Sequence, residues 1–123
     1  QYLFGYEEVP VGQAGYHLAT VTSSAPNSED MRLFKERLRK NIDDGYPLYY
    51  TIDNASIYPG HKGEHNVVGT GYELSADGSD VLAVYYIDPS YTVQDPVYGG
   101  LKKVTPEELL AAMCACQEPN YAW

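Results

Sequence analysis

Two side chains in this sequence are spaced to handle a proton together: His65, in the segment GEHNVVGTGYE, and Asp88, near the end of VLAVYYIDP. A carboxylate that accepts the Nδ1 proton of an imidazole fixes its tautomer, leaves Nε2 to take a proton from a nucleophile, and steadies the imidazolium that forms. That is the oriented-base half of a catalytic triad, and it needs a nucleophile to act on.

Thiols are confined to Cys114 and Cys116. Both fall at the end of an expected C-terminal helix, where the dipole disfavours a thiolate, so they suit packing or a disulfide to a segment outside this sequence better than attack. Two positions apart on a helix, they point in different directions, too awkwardly for a mutual disulfide. Metal binding through Cys-Ala-Cys would need two further ligands, and His17, His61 and His65 lie far off without ligand spacing. No metal and no cofactor are expected.

Two strands should carry the pair, HNVVGTGYEL and VLAVYYID, joined by a turn around SADGS. A turn centred near Ala76-Asp77 sets positions summing to about 153 opposite one another, which brings His65 to face Asp88. A slip of one residue keeps them neighbours but turns one side chain to the other face. Gly69 and Gly71 share the face of His65, and glycines weaken a strand unless a bulge, another backbone or a ligand uses the space; a substrate groove would. On the pairing alone, a surface histidine at a strand start beside an ordinary Asp-Pro turn fits as well.

The flanking elements read as follows. Residues 1–22 hold two short strands, YEEVPV and YHLATVT, with GQAG between them and Pro10 suggesting an edge. Ser28 caps a helix whose first turn carries Glu29 and Asp30, and Met31, Phe34, Leu38 and Ile42 line one face of it. Asp44-Gly45 ends that helix, YPLYYTID follows as a strand, and NASIYPGHKGE is a loop. After Asp88-Pro89 the chain is irregular through VYGGLKKV. Thr105-Pro106-Glu107-Glu108 then opens a last helix with a capping box, buried through Leu109, Leu110 and Met113. The expected class is α+β: an antiparallel sheet, in the form of a half-barrel, with one helix before it and one after it.

A chain of 123 residues suffices for a single domain, 1–123, around one core. With 8 basic against 17 acidic residues, a formal net charge of −9 repels phosphate backbones and anionic lipid surfaces, so nucleic acid is not an expected partner. No run of about 18 apolar residues supports membrane insertion, and the N-terminus lacks the pattern of a signal peptide. The sequence opens at Gln1 in an aromatic stretch, QYLFGY, which fits removal of an upstream portion. Thirteen tyrosines against two phenylalanines mark a sheet rich in polar-tipped rings, suited to half-buried faces or grooves.

In order, a helix, DDGYPLYYTID, a loop, GEHNVVGTGYE, YYIDPS and a closing helix opened by VTPEEL are similar to papain-like bacterial cysteine peptidases related to the bacteriocin-processing, double-glycine leader peptidases. The resemblance covers residues from 28 to 116. It implies that His65 is the general base and Asp88 its orienting partner, that the substrate is a peptide or protein, and that the chain is the C-terminal, β-rich part of a larger domain. Exported and cell-surface forms are common in the family, which makes a secreted or surface location the expectation. Glu64 separates Gly63 from His65, where the family more often has Gly and His adjacent.

The larger departure is the nucleophile. The family pattern has an upstream Cys at a helix start, preceded by a Gln of the oxyanion hole, and no Cys precedes residue 114. Gln13 and Ala19 have the familiar Gln-to-Cys spacing, but ATVTSSAP is β-branched and interrupted by Pro, unlike a nucleophile helix, so Gln13 reads as a turn residue. Three readings stay open: part of a cysteine peptidase completed by a Cys-bearing N-terminal segment and inactive without it; a non-catalytic peptide- or surface-binding module with a tyrosine-rich groove; and a structural domain in which the pair is coincidental.

Overall fold

The first long helix is specified almost entirely by local chemistry. In the computed structural model, which describes residues 2–3, 6–7 and 16–123, α1 spans Glu29–Asp43, and the Ser28 side chain accepts from the Met31 N–H at its start. Met31, Phe34 and Leu38 are buried and Ile42 packs against the same cluster. Asp44 closes the helix, and Gly45 follows at φ +89°, the left-handed conformation that glycine adopts without steric cost.

Among the described residues, eight strands accompany it: β1 (Tyr2–Leu3), β2 (Tyr6–Glu7), β3 (Leu18–Thr20), β4 (Leu48–Asp53), β5 (Glu64–Leu74), β6 (Val81–Ile87), β7 (Leu101–Val104) and β8 (Asn120–Ala122). β1 and β2 pair with each other. The rest form one open antiparallel sheet in the order β3-β8-β4-β5-β6-β7. A short helix α2 (Asn54–Ile57) follows β4, and α3 (Pro106–Cys114) follows β7, its capping box between Thr105 and Glu108 formed as expected. The fold is therefore α+β, with α1 before the main hairpin and α3 after it. Of the YEEVPV strand, only Tyr6–Glu7 lies within the described residues; the GQAG turn, Pro10 and Gln13 lie outside them.

Alternation sorts the sheet into two faces. Leu48, Tyr50 and Ile52 of β4, Val67 of β5 and Val84 and Tyr86 of β6 are buried in one cluster with residues of α1 and α3. Phe34 sets its ring edge-on to Tyr50 and Tyr121, with centroids 5.8 and 5.2 Å apart. Both long helices thus cover the same face. Several tyrosines do core work there, and exposed Leu82 and Ile87 lie on the other side of β6.

Besides β1 and a 3₁₀ turn at Tyr91–Val93, three elements were not expected. LKKV pairs with β6 as β7, β8 pairs with both β3 and β4, and NASI makes one helical turn inside the loop between β4 and β5. A strand of three or four residues is too short for alternation to declare itself, so its partner defines it. The hairpin register also differs. Val68 pairs with Ile87 and Gly69 with Tyr86, then a bulge moves the pairing to Gly71 with Tyr85. These partners sum to two or three more than expected because the connection, with Ser75 N–H on Asp80 O and Gly78 at φ +74°, is centred later in the chain.

Candidate functional site

The alternation that buries Val84 and Tyr86 continues one step past β6 and puts the next inward-facing side chain, Asp88, at zero exposure. A buried carboxylate must be given donors, since its desolvation is otherwise prohibitive. Asp88 Oδ1 accepts from the Ser90 N–H at 2.9 Å and meets His65 Nε2 at 2.5 Å; Oδ2 accepts from the Tyr58 hydroxyl at 2.8 Å. Burial alone would raise the Asp88 pKa. The hydrogen bonds from His65, Ser90 and Tyr58, with the charge of His65, outweigh it and hold the carboxyl below its ordinary range.

The backbone around Asp88 is fixed just as firmly. Its N–H donates to Gly100 O, and the Gln94 side-chain amide donates to the carbonyls of Asp88 and Ser90, at 3.0 Å each. Gly100 has to be glycine on steric grounds, because a Cβ there would press into the Asp88 carbonyl oxygen.

His65 is the second residue of β5, paired with Ile52 on β4, and its side chain is 23% exposed. The expected contact between His65 and Asp88 is present, but through the opposite ring nitrogen. His65 reaches Asp88 diagonally, so Nε2, the atom farther from the backbone, meets the carboxylate, and Nδ1 is turned away from that contact.

Gly69 serves the core instead of a groove, and Gly71, beyond the bulge, does not share the face of His65 as expected but is turned to Tyr85. At Gly69 a Cβ would fall 2.5 Å from Tyr50 Cζ, so the ring of the neighbouring strand occupies the space, while at Gly71 it would meet only Tyr85, at 3.8 Å. A groove of about 600 Å³ does open at the start of β5, bordered by Thr51, Glu64, His65, Asn66, Glu118 and Asn120. Its lining is polar, with Tyr49 its one tyrosine, unlike the tyrosine-rich groove of the binding-module reading.

Neither cysteine is prepared for attack. Burial first, then the charge and hydrogen bond of Glu64, push the Cys116 thiol up to about 11; burial and the charge of Asp30 raise Cys114. Ala19 lies in β3, not on a helix. Among the described residues, no three His, Cys, Asp or Glu side chains come together as a metal site.

Sequence reasoning missed Tyr58, Tyr86, Ser90, Gln94 and Gly100. Tyr86 had a signal, since it stands two residues before Asp88 and a strand puts such residues on one face. Tyr58, in a loop, had none.

A model of the Peptidase_C39 like family matches residues 4–111 of the chain. No curated protein and no solved structure matches it.

Proposed function

The chain belongs to the Peptidase_C39 like family, and from that premise we propose that it supplies the general base, His65, and the orienting carboxylate, Asp88, of a papain-like cysteine peptidase. The nucleophilic Cys and the oxyanion-hole Gln would come from an N-terminal segment outside this sequence, to which residues 1–123 form the C-terminal part. The observation that carries the reading is the buried, fully hydrogen-bonded Asp88 held 2.5 Å from His65.

In this reading the Cys thiol passes its proton to His65 Nδ1 and the sulfur attacks the peptide carbonyl. The imidazolium, held by Asp88, returns the proton to the leaving amine as the C–N bond breaks. Water, deprotonated by the same imidazole, then hydrolyses the thioester and frees the Cys. The polar groove beside His65 would receive an extended peptide. The raised thiols of Cys114 and Cys116 favour a nucleophile from elsewhere. They equally suit the second reading, a peptide- or surface-binding module that keeps the fold without the reaction.

The test is to extend the protein with the segment encoded immediately upstream of Gln1 and assay peptide hydrolysis. Activity that depends on a Cys of that segment, is abolished by His65→Ala with the fold intact, and is reduced less by Asp88→Asn, is the expected result. An upstream segment with no Cys, or unchanged turnover in His65→Ala, would sink the peptidase reading and favour the binding module.

A further inference from the structure

We propose that Tyr58 is a positioning residue for the His65–Asp88 pair: its hydroxyl, backed by that of Tyr86, clamps the far oxygen of Asp88 so that the near oxygen stays turned to the imidazole. This rests on the reading of His65 as a general base and deepens it.

The donors on Asp88 are divided unequally. Oδ1 has both His65 and the Ser90 N–H, whereas Oδ2 has the Tyr58 hydroxyl. At zero exposure, an Oδ2 stripped of that donor would favour protonation or rotation of the carboxyl, and either would spoil the face offered to His65.

The direction of each bond follows from counting protons. An ionised carboxylate only accepts, so the single Tyr58 proton is committed to Asp88 at 2.8 Å. The contact between Tyr58 and Tyr86 oxygens at 2.7 Å must then be donated by Tyr86. A relay Tyr86→Tyr58→Asp88 results, every proton pointing toward the carboxylate, an arrangement in which each bond polarises the next. Burial, with the bond donated to the Asp88 carboxylate, keeps the Tyr58 phenol above the usual tyrosine range, so it retains the proton it donates.

The clamp and the base also share a scaffold. Tyr58 lies in the connection between β4 and β5 that delivers His65. That connection is closed on itself by Asn54 N–H to Gly63 O at 2.9 Å and Tyr58 N–H to Asn54 O at 2.7 Å, and the Asn54 side chain donates to Lys62 O at 3.2 Å. One loop therefore sets the distance between the base and the group that holds its carboxylate.

The inference can be tested on the 123-residue chain by NMR, following the Asp88 carboxyl carbon through an acid titration and the His65 Nε2 proton. In Tyr58→Phe the Asp88 titration is expected to move upward in pH and the His65 resonance to shift, with the far-UV circular dichroism unchanged. Tyr86→Phe should move both in the same direction by less, since it acts through the Tyr58 oxygen. Unmoved Asp88 and His65 signals in a folded Tyr58→Phe would overturn the proposal. Should that variant not fold, unmoved signals in Tyr86→Phe would overturn it instead. Because neither readout requires turnover, shifted signals alongside an inert extended protein would sink the peptidase reading and leave the clamp standing, and the reverse pattern would do the opposite.

Discussion

Asp88 lies one residue past Ile87, whose partner across the strands is Val68, so its own level falls at Val67 and His65 reaches it from two residues farther along the same face. A diagonal of this kind separates backbones by more than a direct pair and suits a long, planar side chain reaching with its tip. The carboxylate can therefore stay in the core while the imidazole remains partly open to solvent.

Acid should weaken the fold through Asp88. Its folded pKa is depressed, so its contribution is fully present above the unfolded value of about 3.9 and is lost as pH falls through the lower folded value. Thermal unfolding midpoints measured from pH 6 to pH 2 should drop through that window, and drop less in Asp88→Asn, which has no carboxyl to protonate.

Removing the carboxylate outright should be costly even near neutral pH. Asp88→Ala leaves Tyr58, the Ser90 N–H and His65 facing an apolar void, and a loss of about 2–4 kcal/mol is expected. Urea denaturation reads this directly as a lower midpoint.

Gly69 and Gly71 should separate sharply. A Cβ at Gly69 meets the fully buried ring of Tyr50, which has no room to retreat, so Gly69→Ala should cost about 1–3 kcal/mol. At Gly71 the nearest atoms are ordinary neighbours at 3.8 Å, and Gly71→Ala should leave the denaturation midpoint almost unchanged.

Tyr50→Phe should be neutral or stabilising by up to about 1 kcal/mol. The Tyr50 hydroxyl is buried without a hydrogen-bond partner among the described residues, so its removal relieves an uncompensated desolvation while keeping the ring. A lower thermal midpoint for this variant would show that the hydroxyl finds a partner in solution.

Much of this was written locally. Ser28 and the spacing of Met31, Phe34 and Leu38 determine α1, Thr105 to Glu108 determine the start of α3, and the long alternating runs determine β4, β5 and β6. Such features are legible because capping and periodicity act within one or two turns of chain. The proximity of His65 and Asp88 was legible too, because a hairpin joins residues close in sequence.

Tertiary structure decided what depends on partners far along the chain. β7 and β8 are strands because β6, β4 and β3 are there to pair with them. The bulge after Gly69 sets the register in which His65 meets the carboxylate diagonally, through Nε2 and not Nδ1. Tyr58 was invisible in sequence for the same reason: a phenol in a loop gives no periodic signal, and its role exists only because the loop folds back over Asp88. The sequence by itself determined that an imidazole and a carboxylate would meet. Which atoms meet, and what holds the carboxylate still, were decided by packing across the sheet, where side chains distant in sequence compete for one buried space.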